Sequence, residues 1–445
     1  MTSPSTEQVS PQTLRKVIIA AGIGNFVEWF DFAVYGFLAT TIAQQFFPSG
    51  DASAALLKTF AVFAVAFAFR PLGGIFFGML GDRIGRKRTL AMTILLMAAA
   101  TTLIGLLPTY AAIGVTAPIL LSLIRCAQGF SAGGEYAGAC AYLMEHAPSD
   151  KRAWYGSFVP VSTFSAFAAA AVVAYALEAS LSAEAMGSWG WRLPFVIAAP
   201  LGLVGLYLRW KLDETPAFQA VKEEHAVAHS PLKETLRNHG AAICCLGAFV
   251  SLTALSFYMF TTYFATYLQV AGGLNRAMAL LVSLIALIFA AAICPLAGLY
   301  SDRVGRRVTV MTACVLLIVV VYPSFLMASS GSFAASIVGV MLLAVGAVLC
   351  GVVTAALLSE TFPTRTRYTA SAITYNMAYT IFGGTAPLVA TWLISTTGSN
   401  LSPAFYLIAV ALLALAGGLA LPETSRMSLH DVGGEQTSTA PLLSR

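Results

Sequence analysis

Several charged side chains lie inside long apolar segments of this sequence. In the first such segment, four polar residues follow one another at steps of three and four: Asn25, Glu28, Asp31 and Tyr35. A later segment carries Arg125, Gln128, Ala132 and Glu135 at similar steps, and Arg70 lies in another apolar run. Such steps place side chains along one face of a helix. A charge at the centre of a bilayer costs about 2.5 to 3.5 kcal/mol on insertion scales, so it survives mainly by facing a cavity or a partner.

Opposite charges on neighbouring helices would relieve each other's burial. Burial favours the neutral form of a carboxyl group, whereas a nearby arginine favours the charged form, and this competition can build a proton switch. We predict that Asp31 or Glu135 binds a coupled proton, with Glu28 as a further candidate. Arg125 or Arg70 would hold a substrate carboxylate or the carboxylate of the empty site. The alternative is a structural ion pair that only fixes helix packing.

The same helical faces carry uncharged candidates for substrate contact, namely Asn25, Tyr35 and Gln128. The second half of the chain has few charges inside its apolar segments and offers aromatic residues instead: Phe260, Tyr263, Tyr267, Tyr375 and Tyr379. Aromatic faces attract quaternary ammonium groups by cation-π interaction. Ordinary packing in a helix bundle is the alternative for any one of these rings.

Composition indicates the elements that hold these residues. The chain has 445 residues, of which 58% are hydrophobic and 10% charged, and its mean hydropathy is +0.79. Because a membrane-spanning helix takes about 20 apolar residues, we predict an all-α membrane protein of twelve transmembrane helices. The apolar segments lie near 17–40, 55–80, 88–107, 112–143, 155–178, 190–210, 241–268, 277–300, 308–328, 332–358, 368–394 and 401–421.

The distribution of basic residues predicts the orientation. Of the 25 Lys and Arg residues, two lie in apolar runs, and only Lys58, Arg192 and Arg276 fall in segments assigned to the outside. Basic short loops stay in the cytoplasm, so we place both termini there. We predict a first six-helix bundle over 1–210, a cytoplasmic linker over 211–240, a second bundle over 241–421 and a short tail over 422–445.

Two motifs recur in the same order in both halves. The segment 81–88 (GDRIGRKR) is matched by 301–307 (SDRVGRR), and Glu145, Pro148 and Arg152 have the spacing of Glu360, Pro363 and Arg367. This repetition predicts two pseudo-symmetric six-helix bundles. We assign the charged residues of the first pair of motifs to conformational gating: Asp82, Arg83, Arg86, Asp302, Arg303 and Arg306.

The segment 81–88 resembles the loop signature of the major facilitator superfamily. More specifically, the chain resembles the metabolite:proton symporter family at 24–31 (GNFVEWFD), 70–74 (RPLGG), 128–136 (QGFSAGGEY) and 189–195 (WGWRLPF). The segment 212–218 (LDETPAF) is most similar to the osmoprotectant carriers for proline and glycine betaine. The resemblance implies the two-bundle fold, alternating access and proton-coupled uptake of a small zwitterion or carboxylate. Those carriers often end in a coiled-coil tail, whereas 422–445 shows no heptads, so we expect no osmotic gating through such a tail.

Other functions fit the sequence less well. Symport of a di- or tricarboxylate such as 2-oxoglutarate or citrate is the main alternative, and drug efflux or a non-transporting sensor is disfavoured. No ordered nucleophile, base and orienter indicates an enzyme, and no phosphate-binding loop indicates ATP. The seven cysteines fit neither a zinc nor a disulfide framework, so we expect no metal and no cofactor. The expected partners are substrate, proton and lipid; we expect no nucleic acid and a monomer.

The orientation is testable with peptide tags. A tag inserted after Gly240, or placed at Arg445, should be reachable by antibody only after the membrane is opened, because the basic loops hold these segments in the cytoplasm. Labelling of either tag from outside intact cells would reverse the assigned topology.

Overall fold

The computed structural model describes residues 11–84, 86–133, 136, 140, 143–144, 147–148, 150–210, 231–362 and 367–425, and these contain helices and no strand. The first half comprises α1 Pro11–Phe37, α2 Ala39–Phe46, α3 Ala52–Ala68, α4 Arg70–Ile84, α5 Arg86–Leu106, α6 Tyr110–Ile113, α7 Thr116–Ser131, α8 Arg152–Gly156, α9 Phe158–Ser180, α10 Ala183–Ser188 and α11 Leu193–Trp210. The second half comprises α12 Pro231–Tyr258, α13 Phe264–Val270, α14 Arg276–Val304, α15 Arg306–Ala328, α16 Phe333–Glu360, α17 Arg367–Ala378, α18 Ala386–Thr397 and α19 Ser402–Leu419. A π turn at Met259–Tyr263 joins α12 to α13. A second π turn, at Tyr379–Gly383, follows α17 and precedes α18.

The prediction of a twelve-helix membrane protein is confirmed. Within the described residues, nine helices are long and apolar enough to cross a bilayer. A tenth span is the pair α1 and α2, bent by 63° between Phe37 and Ala39. The shorter apolar helix Ala91–Leu106 and the helix α7 occupy the two remaining predicted spans.

Local chemistry explains where several helices begin and end. Asp51 and Asn275 accept hydrogen bonds from backbone N–H groups in the first turns of α3 and α14, as good N-cap residues do. Gly305 separates α14 from α15 at φ 95°, a left-handed conformation that favours glycine. Arg192 donates to the carbonyls of Gly105 and Leu107, the last acceptors of α5.

The two sets of helices meet along several pairs. The helix α9 packs on α14, α3 packs on α18, and α1 contacts the first π turn. The predicted domain boundaries stay a prediction, because residues 211–230 of the linker lie outside the described part. The stretch 231–240, predicted as linker, forms the first part of α12, which has a break at His239 (φ −122°, ψ 15°).

Glycines allow the helices that carry Arg70 and Arg125 to approach closely. A Cβ on Gly129 would lie 1.7 Å from the Ala66 carbonyl oxygen, and one on Gly133 would lie 2.2 Å from the Arg70 carbonyl oxygen. Backbone therefore contacts backbone between α7 and the pair α3 and α4, as small residues permit in membranes.

Replacement of one of these glycines should destabilise the fold. We expect Gly129→Ala to cost about 1–3 kcal/mol, the usual range for overpacking, because the new methyl group meets rigid backbone. Thermal unfolding in detergent measures this loss. Gly351→Ala in α16 is the matched control, since no atom lies within 4 Å of its new Cβ and alanine favours helix. Equal melting temperatures for the two variants would contradict the packing argument.

Candidate functional site

The polar face of α1 is buried at the centre of the helix bundle. Asn25, Glu28, Asp31 and Tyr35 are each 4% exposed or less. Their spacing of three and four residues aligns them in an α-helix, so the sequence pattern corresponds to one buried stripe.

Arg125 on α7 faces this stripe with half of its guanidinium uncommitted. Its Nη1 donates to Gln128 Oε1 at 2.8 Å, and Gln128 Nε2 donates to Thr101 Oγ1 at 2.6 Å. The guanidinium carbon lies 4.2 Å from the Tyr35 ring centroid. Nε and Nη2 of Arg125 have no hydrogen-bond partner within the described residues. The Nε–H and one Nη2–H bond lie parallel along one edge of the planar guanidinium group, and together they form a fork that fits a carboxylate.

Asp31 is the acidic neighbour of Arg125. Arg125, Glu28 and the Thr101 hydroxyl are its electrostatic neighbours, and neither of its carboxyl oxygens has a hydrogen-bond partner of normal geometry within the described residues. Burial without a hydrogen bond is unfavourable for a charged carboxyl group, so a new partner or a bound proton would stabilise it. Asp31 and Arg125 thus interact electrostatically, but no ion pair or hydrogen bond joins them within the described residues, and their predicted roles stay predictions.

Arg70 forms a second cationic centre beside Glu28. Its Nη2 lies 3.9 Å from Glu28 Oε1 and 3.4 Å from the Ala132 carbonyl oxygen. Rings surround its guanidinium carbon, with centroids at 5.3 Å for Phe67, 5.6 Å for Phe32 and 5.8 Å for Trp29. The delocalised guanidinium tolerates such an apolar setting better than an ammonium group does.

Asn25 is a structural anchor in this arrangement. Its Nδ2 donates to Ser162 Oγ at 2.8 Å and to Thr163 Oγ1 at 2.7 Å, which ties α1 to α9. Its Oδ1 accepts from Trp29 Nε1 at 2.9 Å. Because both ends of the amide are engaged, the side chain fixes the Trp29 indole and is not turned toward a ligand. Its predicted role in substrate contact stays a prediction.

An aromatic cluster from both halves adjoins the two arginines. Trp29 lies 5.2 Å from Phe257 and 6.3 Å from Tyr258, measured between ring centroids, and Phe67 lies 5.1 Å from Tyr258. We call Trp29, Phe67, Phe257 and Tyr258 the aromatic box. None of its four members is among the site residues predicted from the sequence. Trp29 follows Glu28 in the first-span motif 24–31, and this place beside a predicted site residue is the sequence feature that could have indicated its role.

The predicted tyrosines of the second half separate into two groups. Tyr375 stacks between Tyr136 and Tyr379, with centroids at 4.6 Å and 3.9 Å, and both Tyr375 and Tyr379 are electrostatic neighbours of Arg70. The hydroxyls of Tyr258 and Tyr375 have no hydrogen-bond partner within the described residues. These tyrosines therefore bring phenol groups to the centre.

The seventh-span residues are not on a single exposed face. Phe260 contacts Phe164 and Tyr263 contacts Phe60, both across the interface between the halves. Tyr267 instead donates to the Asn400 carbonyl at 2.9 Å and packs on Phe325 within the second half. The π turn at Met259–Tyr263 changes the helical register that the α-helical spacing assumed.

The repeated loop motif of the second half bridges the two halves at one end. Asp302 accepts hydrogen bonds from the backbone N–H groups of Ala153 at 3.0 Å and Trp154 at 2.9 Å, in the first turn of α8. It also binds Arg306 Nη1 at 2.8 Å. Arg306 in turn makes two 3.0 Å bonds to Glu360. The carboxylate thus meets the positive end of a helix from the other half.

The remaining predicted gating residues are Arg303, Asp82, Arg83 and Arg86. Arg303 is exposed. Asp82, Arg83 and Arg86 have side chains outside the described part, as does Glu135, so their predicted roles stay predictions. Glu423 accepts from the backbone N–H groups of Arg306 and Arg307 at 2.8 Å and 3.0 Å.

The Glu423 contact depends on the charge of the carboxyl group. Partial burial opposes ionisation, but hydrogen bonds from the N–H groups of Arg306, Ser425 and Arg307 outweigh it and lower the pKa of Glu423. Its stabilising contribution is present above the usual glutamate pKa and is lost as the pH falls through the lowered value.

The halves also touch at the opposite end. Glu178 on α9 pairs with Arg276 on α14 at 3.4 Å, and Thr40 donates to Gln269 at 3.4 Å. At the centre, Asn376 donates to the Gly133 carbonyl at 2.9 Å. Contacts across the interface thus occur at both ends and in the middle.

The sequence is similar to those of known membrane transporters over most of its length. The family model described as Major Facilitator Superfamily matches residues 21–385. The chain is 39% identical over 426 residues to the proline/betaine transporter of Salmonella typhimurium, covering 94% of this chain and 85% of the relative. It is 36% identical over 443 residues to the ectoine/proline transporter ProP of Corynebacterium glutamicum, covering 96% and 88%.

A solved structure shows the same fold. The proton:xylose symporter XylE, bound to 6-bromo-6-deoxy-D-glucose, superposes with a TM-score of 0.75 at 17% identity, covering 95% of this chain and 99% of that one. The relatives and the family are transporters, which confirms that the chain is not an enzyme. The chain is a multi-pass membrane transporter that belongs to the major facilitator superfamily and, within it, to the metabolite:proton symporter family that its motifs resemble.

Proposed function

We propose that this protein is a proton-coupled symporter of the inner membrane that takes up a zwitterionic osmolyte such as proline or glycine betaine. It works as a monomer by alternating access, with both termini in the cytoplasm. The observation that carries the proposal is the uncommitted Nε and Nη2 fork of Arg125 near the aromatic box. The relatives named for proline, betaine and ectoine support the substrate class.

The site offers a separate partner for each end of a zwitterion. The fork of Arg125 binds the substrate carboxylate with two parallel hydrogen bonds. Tyr258 is an electrostatic neighbour of Arg125 and belongs to the aromatic box, so the cationic end reaches ring faces that favour ammonium groups. A di- or tricarboxylate would leave those rings without a charge to bind, and this alternative is not favoured.

Asp31 links the substrate to the proton. In the empty site Asp31 is an acidic group that interacts electrostatically with Arg125. When the substrate carboxylate takes that place, a proton on Asp31 removes the repulsion between two buried anions. Substrate and proton therefore favour each other's binding, which is the coupling that symport requires. Glu135, the other predicted proton site, remains a candidate for the same role.

Asp302 acts as the gate in this mechanism. Its contacts with Ala153 and Trp154 cross the interface, whereas its bond to Arg306 stays within the second half. The interface bonds must break when the halves separate at this end, while the bond to Arg306 keeps the carboxylate partnered. Such an element has two stable states, as alternating access requires.

The main test is transport by purified protein in vesicles. Labelled glycine betaine and proline should accumulate with an inward proton gradient, and labelled citrate and 2-oxoglutarate should not. Asp31→Asn should abolish gradient-driven accumulation and leave exchange partly intact. Arg125→Lys should weaken substrate binding at least about tenfold, because an ammonium group cannot reproduce a two-pronged contact. Arg276→Lys, a conservative change at the periphery, is the control and should transport normally.

A different result is expected if Asp31 and Arg125 form an ion pair that only fixes helix packing. There, Asp31→Asn or Arg125→Gln alone would lower expression by leaving a charge unpaired, and the double variant would recover. Full gradient-driven transport by the double variant would therefore contradict the mechanism.

Asp302→Asn should slow turnover more than it weakens substrate binding. The amide loses the negative charge that binds the α8 N-terminus and Arg306, far from the proposed substrate. Exchange rate and substrate Kd, measured on the same vesicles, separate the two effects, and we expect a rate loss of about tenfold for one lost charged hydrogen bond. Asp150→Asn, an exposed acid before α8, is the matched control. Loss of binding with normal exchange would exclude a gating role.

A further inference from the structure

A small cavity lies inside the first six-helix set. It lies between α1, α5 and the C-terminal end of α7, and its lining residues are Val27, Glu28, Thr93, Ile94, Met97, Ser131 and Ala132. A site of this kind has room for about one water molecule, and it supplies polar partners that such a water needs. The cavity differs from the proposed substrate site, because all its walls come from one half of the protein.

Glu28 connects this cavity with the centre of the molecule. Glu28 lines the cavity, and its carboxyl group lies 3.9 Å from Arg70, whose guanidinium adjoins the aromatic box. Asp31 lies one helical turn along α1 and is an electrostatic neighbour of Glu28. Arg70 on α4 and Tyr258 on α12 also interact electrostatically with Glu28. Glu28 is therefore the one carboxyl group, within the described residues, that lines the cavity and neighbours Asp31.

The cavity lies toward the motif end of α5. Thr93 is seven residues after Arg86, the first residue of that helix, which corresponds to about 10 Å. Under the orientation proposed above, this is the cytoplasmic side. The hydroxyl-bearing residues Thr93 and Ser131 lie on this wall, and Ser131 Oγ donates to the Thr93 carbonyl at 2.6 Å.

We propose that the coupled proton leaves toward the cytoplasm through Glu28 and this cavity, inside the first half, while the substrate leaves between the halves. In the transfer step, the O–H bond of protonated Glu28 breaks and the proton passes to a water molecule in the cavity, which becomes hydronium. The carboxylate left behind pairs with Arg70. The inference rests on the proposed proton symport and adds a separate route for the proton.

Contacts across the interface explain the value of a separate route. The halves are bridged at both ends and at the centre, by Asp302, by Glu178 with Arg276, and by Asn376. A proton that leaves within one half does not have to wait for these bridges to open. Release of the proton can then precede release of the substrate.

The test removes the polar lining without touching Glu28. Thr93→Val keeps the side-chain shape and removes the hydroxyl. Gradient-driven uptake of labelled betaine should fall about tenfold, less than the roughly 10²–10⁴-fold that a general acid or base contributes, because Thr93 only positions the water. Exchange of internal for external betaine should stay within about twofold of wild type, because exchange requires no net proton release. Thr93→Ser should transport normally. Thr102→Val on the same helix is the matched control, since that hydroxyl bonds to its own helix at Ala98.

A second variant fills the cavity by bulk. Met97→Phe should show the same split between slow gradient-driven uptake and normal exchange, and a larger solvent deuterium isotope effect on uptake. The route is overturned if Thr93→Val and Met97→Phe both match wild type, or if uptake and exchange fall together. Wild-type protein is measured in parallel. If wild-type protein shows no proton-driven uptake, the proposed symport is wrong; if it does, the variants test the proton route alone.

Discussion

The burial of two guanidinium groups in the centre of a helix bundle is the constraint on which the rest of this structure depends. Arg70 and Arg125 are both fully buried. A charge in such a place is tolerated only with partners, and each arginine has a different set. Each guanidinium lies near three rings, but Arg70 also has Glu28 and a carbonyl oxygen, whereas Arg125 has one amide oxygen and, within the described residues, no carboxylate at ion-pair distance. The asymmetry leaves Arg125 as the group with more to gain from an incoming carboxylate.

The glycine contacts follow from that constraint. Arg70 and Arg125 lie on helices that must approach the acidic face of α1 from two sides. Close backbone contact at Gly129 and Gly133 brings α4 and α7 together, and the hydrogen bond from Arg70 to the Ala132 carbonyl crosses the same contact. Larger residues at these positions would move the charges apart as well as loosen the packing.

The sequence predicted the parts of this structure that depend on periodicity and composition. The twelve spans and the buried stripe on α1 follow from apolar runs and helical spacing, because the bilayer leaves few other solutions. Packing partners could not be predicted in this way. Asn25 fits the spacing of a ligand contact, but only the neighbouring α9 shows that Ser162 and Thr163 engage its amide.

The aromatic residues show the same limit. A π turn over Met259–Tyr263 shifts the register of Phe260 relative to Tyr267, and a pattern that assumes 3.6 residues per turn cannot reveal it. The place of Trp29 in the aromatic box could not be predicted, because its ring contacts Phe257 and Tyr258, which lie in the other half of the chain.

The charge balance of the centre favours a neutral substrate. Glu28 and Asp31 offset Arg70 and Arg125, so the group of four is neutral when all are ionised. A zwitterion adds no net charge to this region, and one proton then gives the loaded protein a single positive charge. A dicarboxylate would add two negative charges and demand more protons for the same balance. Because moving one charge is worth about 2.3 kcal/mol per 100 mV, a zwitterion carried with one proton lets the membrane potential drive accumulation inward.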